Sequence, residues 1–126
     1  MLTIQIGNEN IQYLDAVETE EFFNGSSRRT ITVTCESTAI SIDKLNSLLT
    51  EENLKSITVT NDKIANSDGS SLTNIYDDYV LKLSCGIQNV LVKNDTPDSA
   101  AKYEDRLIFK IGKRTYIEEQ LHKLGL

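Results

Sequence analysis

The chain opens with apolar and polar residues in alternation, which is the two-residue period of a β-strand. Leu2, Ile4 and Ile6 are separated by polar residues, and Gly7 interrupts the pattern. Residues 11–17 then return as a second extended segment. These two segments predict a β-hairpin at the start of the chain.

The clearest strand signal follows a turn at residues 22–27. Residues 29–36 have β-branched side chains at almost every position, which predicts a strand. The period then changes, and Ser41 is placed to cap a short amphipathic helix at residues 41–49. The apolar positions of this helix are Ile42, Leu45, Leu48 and Leu49.

Strands resume after this helix and fill most of the second half of the chain. Residues 50–54 predict one further turn, with Leu54 facing inward. The two-residue period then marks strands at residues 56–60, 72–76, 79–85, 90–92 and 103–111. Polar loops at residues 66–71 and 94–99 separate them. The last strand has one apolar face, formed by Leu107, Phe109 and Ile111.

A second helix is predicted at residues 114–124, where the apolar period changes again. Ile117, Leu121 and Leu124 are four and three positions apart and, with Tyr116, give this helix more apolar surface than about three turns easily present to water. Either the chain's own sheet or a neighbouring molecule must cover it. The second alternative makes Tyr116, Ile117, Leu121 and Leu124 a partner-binding seam, in a short coiled coil or in a partner's groove.

Together these elements predict an α+β fold that is predominantly antiparallel β, arranged as a barrel or sandwich, with one short internal helix and a C-terminal helix. The 126 residues fit a single β-rich domain, residues 1–126, because a chain of this length buries roughly two-thirds of its unfolded surface. One Pro and six Gly, without a shift in composition along the chain, argue against disorder and against a second domain.

The charge balance narrows the classes of partner. Thirteen Lys and Arg against nineteen Asp and Glu give a net charge of −6. Nucleic-acid binding requires a basic face that displaces counterions from phosphates, so nucleic acid is not an expected partner. The chain has neither an apolar run near the roughly 20 residues that span a bilayer nor the basic and apolar regions of a signal peptide. We therefore expect no membrane contact and a cytoplasmic location, unless an assembly carries the protein out.

The two cysteines, Cys35 and Cys85, each fall on the apolar phase of a predicted strand. In a reducing compartment this position favours two buried, reduced thiols over a disulfide. A single His and two scattered Cys also lack the spacing of zinc ligands.

The sequence gives only weak signals for a metal-binding site or a catalytic site. If Gly69 were the sixth position of a calcium-binding loop, the first and twelfth positions would be Ile64 and Ile75, which offer no side-chain oxygen. His122, the sole histidine, falls in the last turn of a terminal helix, which is a poor place for a rigid catalytic pocket. The sequence has no glycine-rich phosphate loop, and none of its adjacent carboxylates suggests a pair that shares one proton. We therefore expect no metal, no cofactor and no enzymatic activity.

Two small basic groups interrupt the acidic chain. Arg28 and Arg29 open the strong strand, and Lys110, Lys113 and Arg114 lie where the last strand gives way to the helix. Such groups are either the solvated ends of strands or docking points for a partner's carboxylates.

Five motifs carry a resemblance to a known class of protein. They are RTITVT at residues 29–34, IDKLNSLL at 42–49, LKSITV at 54–59, IYDDYVL at 75–81 and EEQL at 118–121. In this order they resemble small β-rich accessory proteins encoded in the structural modules of phages and prophages of Gram-positive bacteria. None of these motifs is a catalytic signature.

The resemblance implies a non-enzymatic phage or prophage structural protein that binds another protein, or further copies of itself, in a tail or virion assembly. Its location would be the bacterial host cytoplasm during assembly, and the virion if it is packaged. The alternative is a small acidic phage-encoded inhibitor, which would use the charge of −6 to imitate nucleic acid and mask a host defence protein.

Overall fold

The computed structural model describes residues 2–23, 25–65, 71–93 and 102–125. Within these ranges the chain forms eight strands and three helices. In chain order they are β1 (Leu2–Ile6), β2 (Glu9–Gln12), β3 (Asp15–Phe23), β4 (Ser26–Glu36), α1 (Ile42–Leu48), α2 (Glu51–Leu54), β5 (Ser56–Ala65), β6 (Ser71–Asp77), β7 (Leu81–Lys93), β8 (Lys102–Gly112) and α3 (Tyr116–Lys123).

The strands form two four-stranded antiparallel sheets. The first sheet has the order β2-β1-β5-β6 and the second has the order β3-β4-β8-β7. The predicted α+β fold with predominantly antiparallel strands and a C-terminal helix is therefore confirmed. The sheets do not close into a barrel, so the sandwich-like arrangement is the one that the chain adopts.

Both sheets contribute to one hydrophobic core. The strand residues of that core are Ile4, Ile6, Ile11, Ile57 and Val59 from the first sheet and Ile31, Val33, Cys35, Leu107, Phe109 and Ile111 from the second. The predicted inward face of the last strand is confirmed, since its three apolar residues are fully buried. Burial of this kind is the main favourable contribution to folding.

The helix predicted at residues 41–49 is confirmed as α1. Ser41 caps it and accepts a hydrogen bond from the Lys44 amide at 3.2 Å. Leu45 and Leu49 enter the core.

Two polar contacts connect α1 to the sheets. Lys44 forms an ion pair with Glu9 on β2, and Asn46 accepts a hydrogen bond from Lys82 on β7. The helix α1 therefore links one edge strand of each sheet.

The predicted second segment, residues 11–17, is wrong as a single strand. The chain leaves the first sheet between β2 and β3, and two adjacent amides mark the crossing. The Tyr13 amide donates to Leu2 O in the first sheet, while the Leu14 amide donates to Thr34 O in the second. The predicted initial hairpin therefore ends at Gln12, and the next strand pairs in the other sheet.

The strands predicted at residues 79–85 and 90–92 form one strand instead. Gly86, Gln88 and Asn89 remain paired with β8, so the polar residues and the glycine do not interrupt β7. The polar loop predicted at residues 94–99 lies outside the described residues, as does the loop at 66–71 except for Ser71, which begins β6.

The two cysteines are both free, but they are not equally buried. Cys35 is fully buried on β4, whereas Cys85 is only partly buried on the edge strand β7. Cys85 lies opposite the buried Phe109 and therefore faces the core, but β7 is an edge strand, and no further described strand lies beside it to complete the burial of the thiol. Burial raises the pKa of the Cys35 thiol to about 11. Burial also raises the pKa of the Cys85 thiol, and the positive charge of Lys82 acts in the opposite direction there.

We expect the two thiols to react with an alkylating reagent at different rates. The thiolate is the reactive species, so at pH 7.5 Cys85 should be labelled first, and Cys35 only after global unfolding. Peptide mapping by mass spectrometry after timed labelling with iodoacetamide measures both rates. A Cys85→Ser variant should lose the faster phase. Equal labelling rates at the two positions without denaturant would contradict this expectation.

Candidate protein-binding surface

The start of α3 is defined by reciprocal hydrogen bonds between Thr115 and Glu118. The Thr115 hydroxyl oxygen accepts from the Glu118 amide at 3.3 Å, and a Glu118 carboxylate oxygen accepts from the Thr115 amide at 2.8 Å. This capping box satisfies two amides that a helix would otherwise leave without partners. It also fixes the direction in which the Glu118 side chain points.

Glu118 binds a buried arginine on β4. The two terminal nitrogens of Arg28 donate to the two carboxylate oxygens of Glu118, at 2.5 and 3.1 Å. Arg28 is only 3% exposed, and its other partners are the backbone oxygens of Lys113 and Phe23 at 3.0 and 2.9 Å. The guanidinium also lies 5.6 Å from the centre of the Phe23 ring. This buried ion pair attaches the first turn of α3 to the second sheet.

The same contacts hold the Glu118 carboxyl in its charged form. Hydrogen bonding from Arg28, and next from the Thr115 amide, lowers the pKa of Glu118 to about 2. The side chain is about a third exposed (32%), so these donors and not burial dominate its environment.

A second attachment joins α2 to α3 and to the residues before it. Glu51 on α2 forms an ion pair with Arg114 at 2.9 Å, and its carboxylate lies 3.0 Å from His122 Nε2. Hydrogen bonding from Arg114 lowers the pKa of the Glu51 carboxyl. Contacts therefore hold α3 near both of its ends.

The apolar side of α3 is uncovered. Tyr116 is 78% exposed, Ile117 70%, Leu121 43% and Leu124 74%, and no residue of α3 is buried. The alternative in which this helix packs on the core is therefore wrong. We call these four residues the α3 apolar surface.

The basic groups noted in the sequence make contacts within the chain. Arg29 forms an ion pair with Glu18, Lys110 with Glu21 and Arg114 with Glu51. Lys113 Nζ lies 5.1 Å from the centre of the Tyr79 ring. Arg28 is buried and bound to Glu118, so it is neither a solvated strand end nor a docking point for a partner's carboxylates.

A cavity of about 440 Å³ is lined by residues that include Tyr13 and Glu36, and neither Cys nor His lines it. In the part of the chain that the structure describes, no group of three His, Cys, Asp or Glu side chains could hold a metal ion. His122 is about half exposed and bound to Glu51.

Sequence reasoning missed Arg28 as the residue that positions α3. Its partner lies 90 positions away, so no local pattern could show the pairing. The available signal was the Thr115-x-x-Glu118 spacing, which is typical of a capping box and marks the start of a helix.

None of the described helices is long and apolar enough to cross a membrane. Comparison of the chain with models of protein families, with curated protein sequences and with solved structures finds no match in any of the three.

Proposed function

We propose that this protein is a non-enzymatic structural or accessory protein of a phage or prophage, and that it binds another protein of a tail or virion assembly through the α3 apolar surface. The phage context rests on the resemblance of the five motifs. The binding role rests on the surface itself.

The observation that carries the binding role is an apolar helix face held in place without being covered. Arg28 and Glu51 attach α3 to the body of the protein through charged contacts, and all four apolar residues remain at least 43% exposed. Contiguous apolar surface of this kind marks interaction sites in soluble proteins. Because the helix is already ordered, a partner would not have to order it on binding.

The alternative function, an acidic inhibitor that imitates nucleic acid, has weaker support. A mimic needs carboxylates that are free to meet a basic groove. Many carboxylates of this chain are instead bound to its own cations, namely Glu9, Glu18, Glu21, Glu51, Glu104, Glu118 and Glu119. Salt dependence separates the two functions, since capture by an acidic mimic weakens sharply as ionic strength rises.

The test is a Leu121→Ser/Leu124→Ser variant used as bait in lysates of a prophage-induced Gram-positive host. We expect wild-type protein to capture a virion or tail component, identified by mass spectrometry. Burial of one leucine side chain contributes roughly 1.5–3 kcal/mol, so the double variant should bind that component about 10²–10⁴-fold more weakly. Its melting temperature should change little, because both leucines are exposed in the free protein.

The matched control is Val17→Ser/Ile75→Ser, which removes two apolar residues of similar exposure, 43% and 65%, from other surfaces. It should capture the same component as the wild type. Equal loss of capture in both variants would contradict the proposal. Capture that high salt abolishes but the α3 variant does not weaken would also contradict it. So would an early melt of the α3 variant, since that would place its leucines in the core.

A further inference from the structure

β7 is the long unpaired edge of the second sheet. Among the described residues it pairs only with β8, on one side. Register shifts lie between Lys82 and Ser84 and between Leu91 and Lys93. The segment from Ser84 to Leu91 is therefore regular strand whose other side has no strand partner in the described chain.

The four edge strands differ in how they are protected against pairing with another chain. β2 is only four residues long, and β3 carries several carboxylates, Asp15, Glu18, Glu20 and Glu21. β6 has uncharged residues at 72–76 and ends on Asp77. β7 has the longest uncharged run, residues 83–92, without a proline. Charges and short edge strands are the usual protection against edge pairing, and the middle of β7 has neither.

We infer that β7 pairs in antiparallel orientation with β7 of a second copy of this chain, which joins the two second sheets into one eight-stranded sheet. A two-fold axis through Ile87 pairs the segment 84–90 of one copy with the same segment of the other. An axis through Gln88 pairs the two segments 85–91 in the same way. Both registers stay within the regular segment. Neither register brings a charged side chain opposite another within it.

Charge is the reason for a second copy as the occupant. Each copy has a net charge of −6, so copies repel where carboxylates meet, as they would along β3. β7 offers two copies the longest described edge along which they can approach without that repulsion. The pairing is also self-complementary, as an interface between identical chains with two-fold symmetry must be.

Apolar side chains support the same arrangement. Ile87 lies opposite the buried Leu107 on β8, and directly opposed residues point to the same face of a sheet. Ile87 therefore points to the core side, and so does Leu91, yet they are 42% and 53% exposed. Either register places Ile87 directly or diagonally beside Ile87 of the second copy, where each covers the other.

Sedimentation equilibrium over about 5–500 µM protein tests this inference. A single pair of strands buries less than the roughly 1,200 Å² of a standard interface, so we expect a weak dimer with a dissociation constant of tens of micromolar or more. Gln88→Lys places two like charges close to the two-fold axis and should weaken the dimer at least tenfold. Gln88 is exposed, so the variant should fold normally.

The control variant is Thr73→Lys, which adds the same charge at an exposed position on β6 and should leave the dimer unchanged. Leu121→Ser/Leu124→Ser should also leave it unchanged, because the α3 apolar surface is a separate site. Amide protons of residues 84–91 that point away from β8 should exchange more slowly as protein concentration rises. A monomer throughout the concentration range, equal effects of the two lysine variants, or dissociation by the α3 variant alone would overturn the inference.

Discussion

Replacing Glu118 with Gln should lower the free energy of unfolding by about 2 kcal/mol, which is less than the roughly 3–5 kcal/mol cost of breaking a fully buried ion pair. The smaller figure applies because Glu118 is about a third exposed, although Arg28 is almost fully buried. In the variant, the Arg28 guanidinium keeps only uncharged hydrogen-bond acceptors, and its Nε has no acceptor among the described residues even in the wild type. Thermal unfolding followed by circular dichroism at pH 7 should show a midpoint about 6–10 °C below that of the wild type.

The matched control is Glu119→Gln, the same change one residue along α3. Glu119 is 40% exposed and lies 4.0 Å from Arg114, so its charge contributes little, and the midpoint should stay close to that of the wild type. Equal midpoints for the two variants would show that the Arg28–Glu118 pair does not attach α3.

The same pair should give the protein a distinct dependence on pH. The pKa of Glu118 is lowered from 4.5 to about 2 in the folded protein, so the charged carboxyl stabilises the fold fully above pH 4.5. This contribution falls as the pH drops from 4.5 to 2. The difference in stability between wild type and Glu118→Gln should therefore be largest near neutral pH and shrink across that interval.

The largest loss of stability is expected for Phe109→Ala, at about 3–5 kcal/mol. Phe109 is fully buried on β8, opposite Val33 on β4 and Cys85 on β7. Truncation removes a large apolar side chain between three strands that pair along their backbones, so the sheet cannot easily collapse into the cavity. Urea denaturation should show a midpoint well below that of the wild type with a similar slope.

Phe22→Ala provides the comparison for this substitution. It removes the same atoms from a side chain that is 76% exposed, so the free energy of unfolding should change by no more than about 0.5 kcal/mol. A similar loss in the two variants would mean that the core does not centre on β8.

The period of apolar residues along the chain was sufficient to predict those elements whose structure depends mainly on residues close to them in sequence. The β-branched run of β4, the inward face of β8 and the capped helix α1 could all be predicted in this way. The crossing at Tyr13 and Leu14 could not, because the residues remain extended while their hydrogen-bonding partners change from one sheet to the other. The continuity of β7 through Gly86 likewise depends on pairing with β8.

For the α3 apolar surface, the sequence predicted which residues form the apolar side of the helix but not whether that side is exposed. A stripe of Ile117, Leu121 and Leu124 looks the same in sequence whether a helix packs on a core or faces water. Exposure of that stripe depends on where α3 is attached. Attachment is decided by Arg28 and Glu118, two residues on distant elements whose pairing leaves no periodic signal.

The strand order also bears on how the protein emerges from the ribosome. Each hairpin pairs consecutive strands, but the central pairings join strands that are far apart in the chain: β1 pairs with β5, and β4 in the first half of the chain pairs with β8 near its end. Until β8 has been synthesised, β4 exposes an apolar, β-branched edge that later becomes interior. A nascent chain halted before residue 102 would thus present an aggregation-prone strand, and completion of synthesis is what protects it.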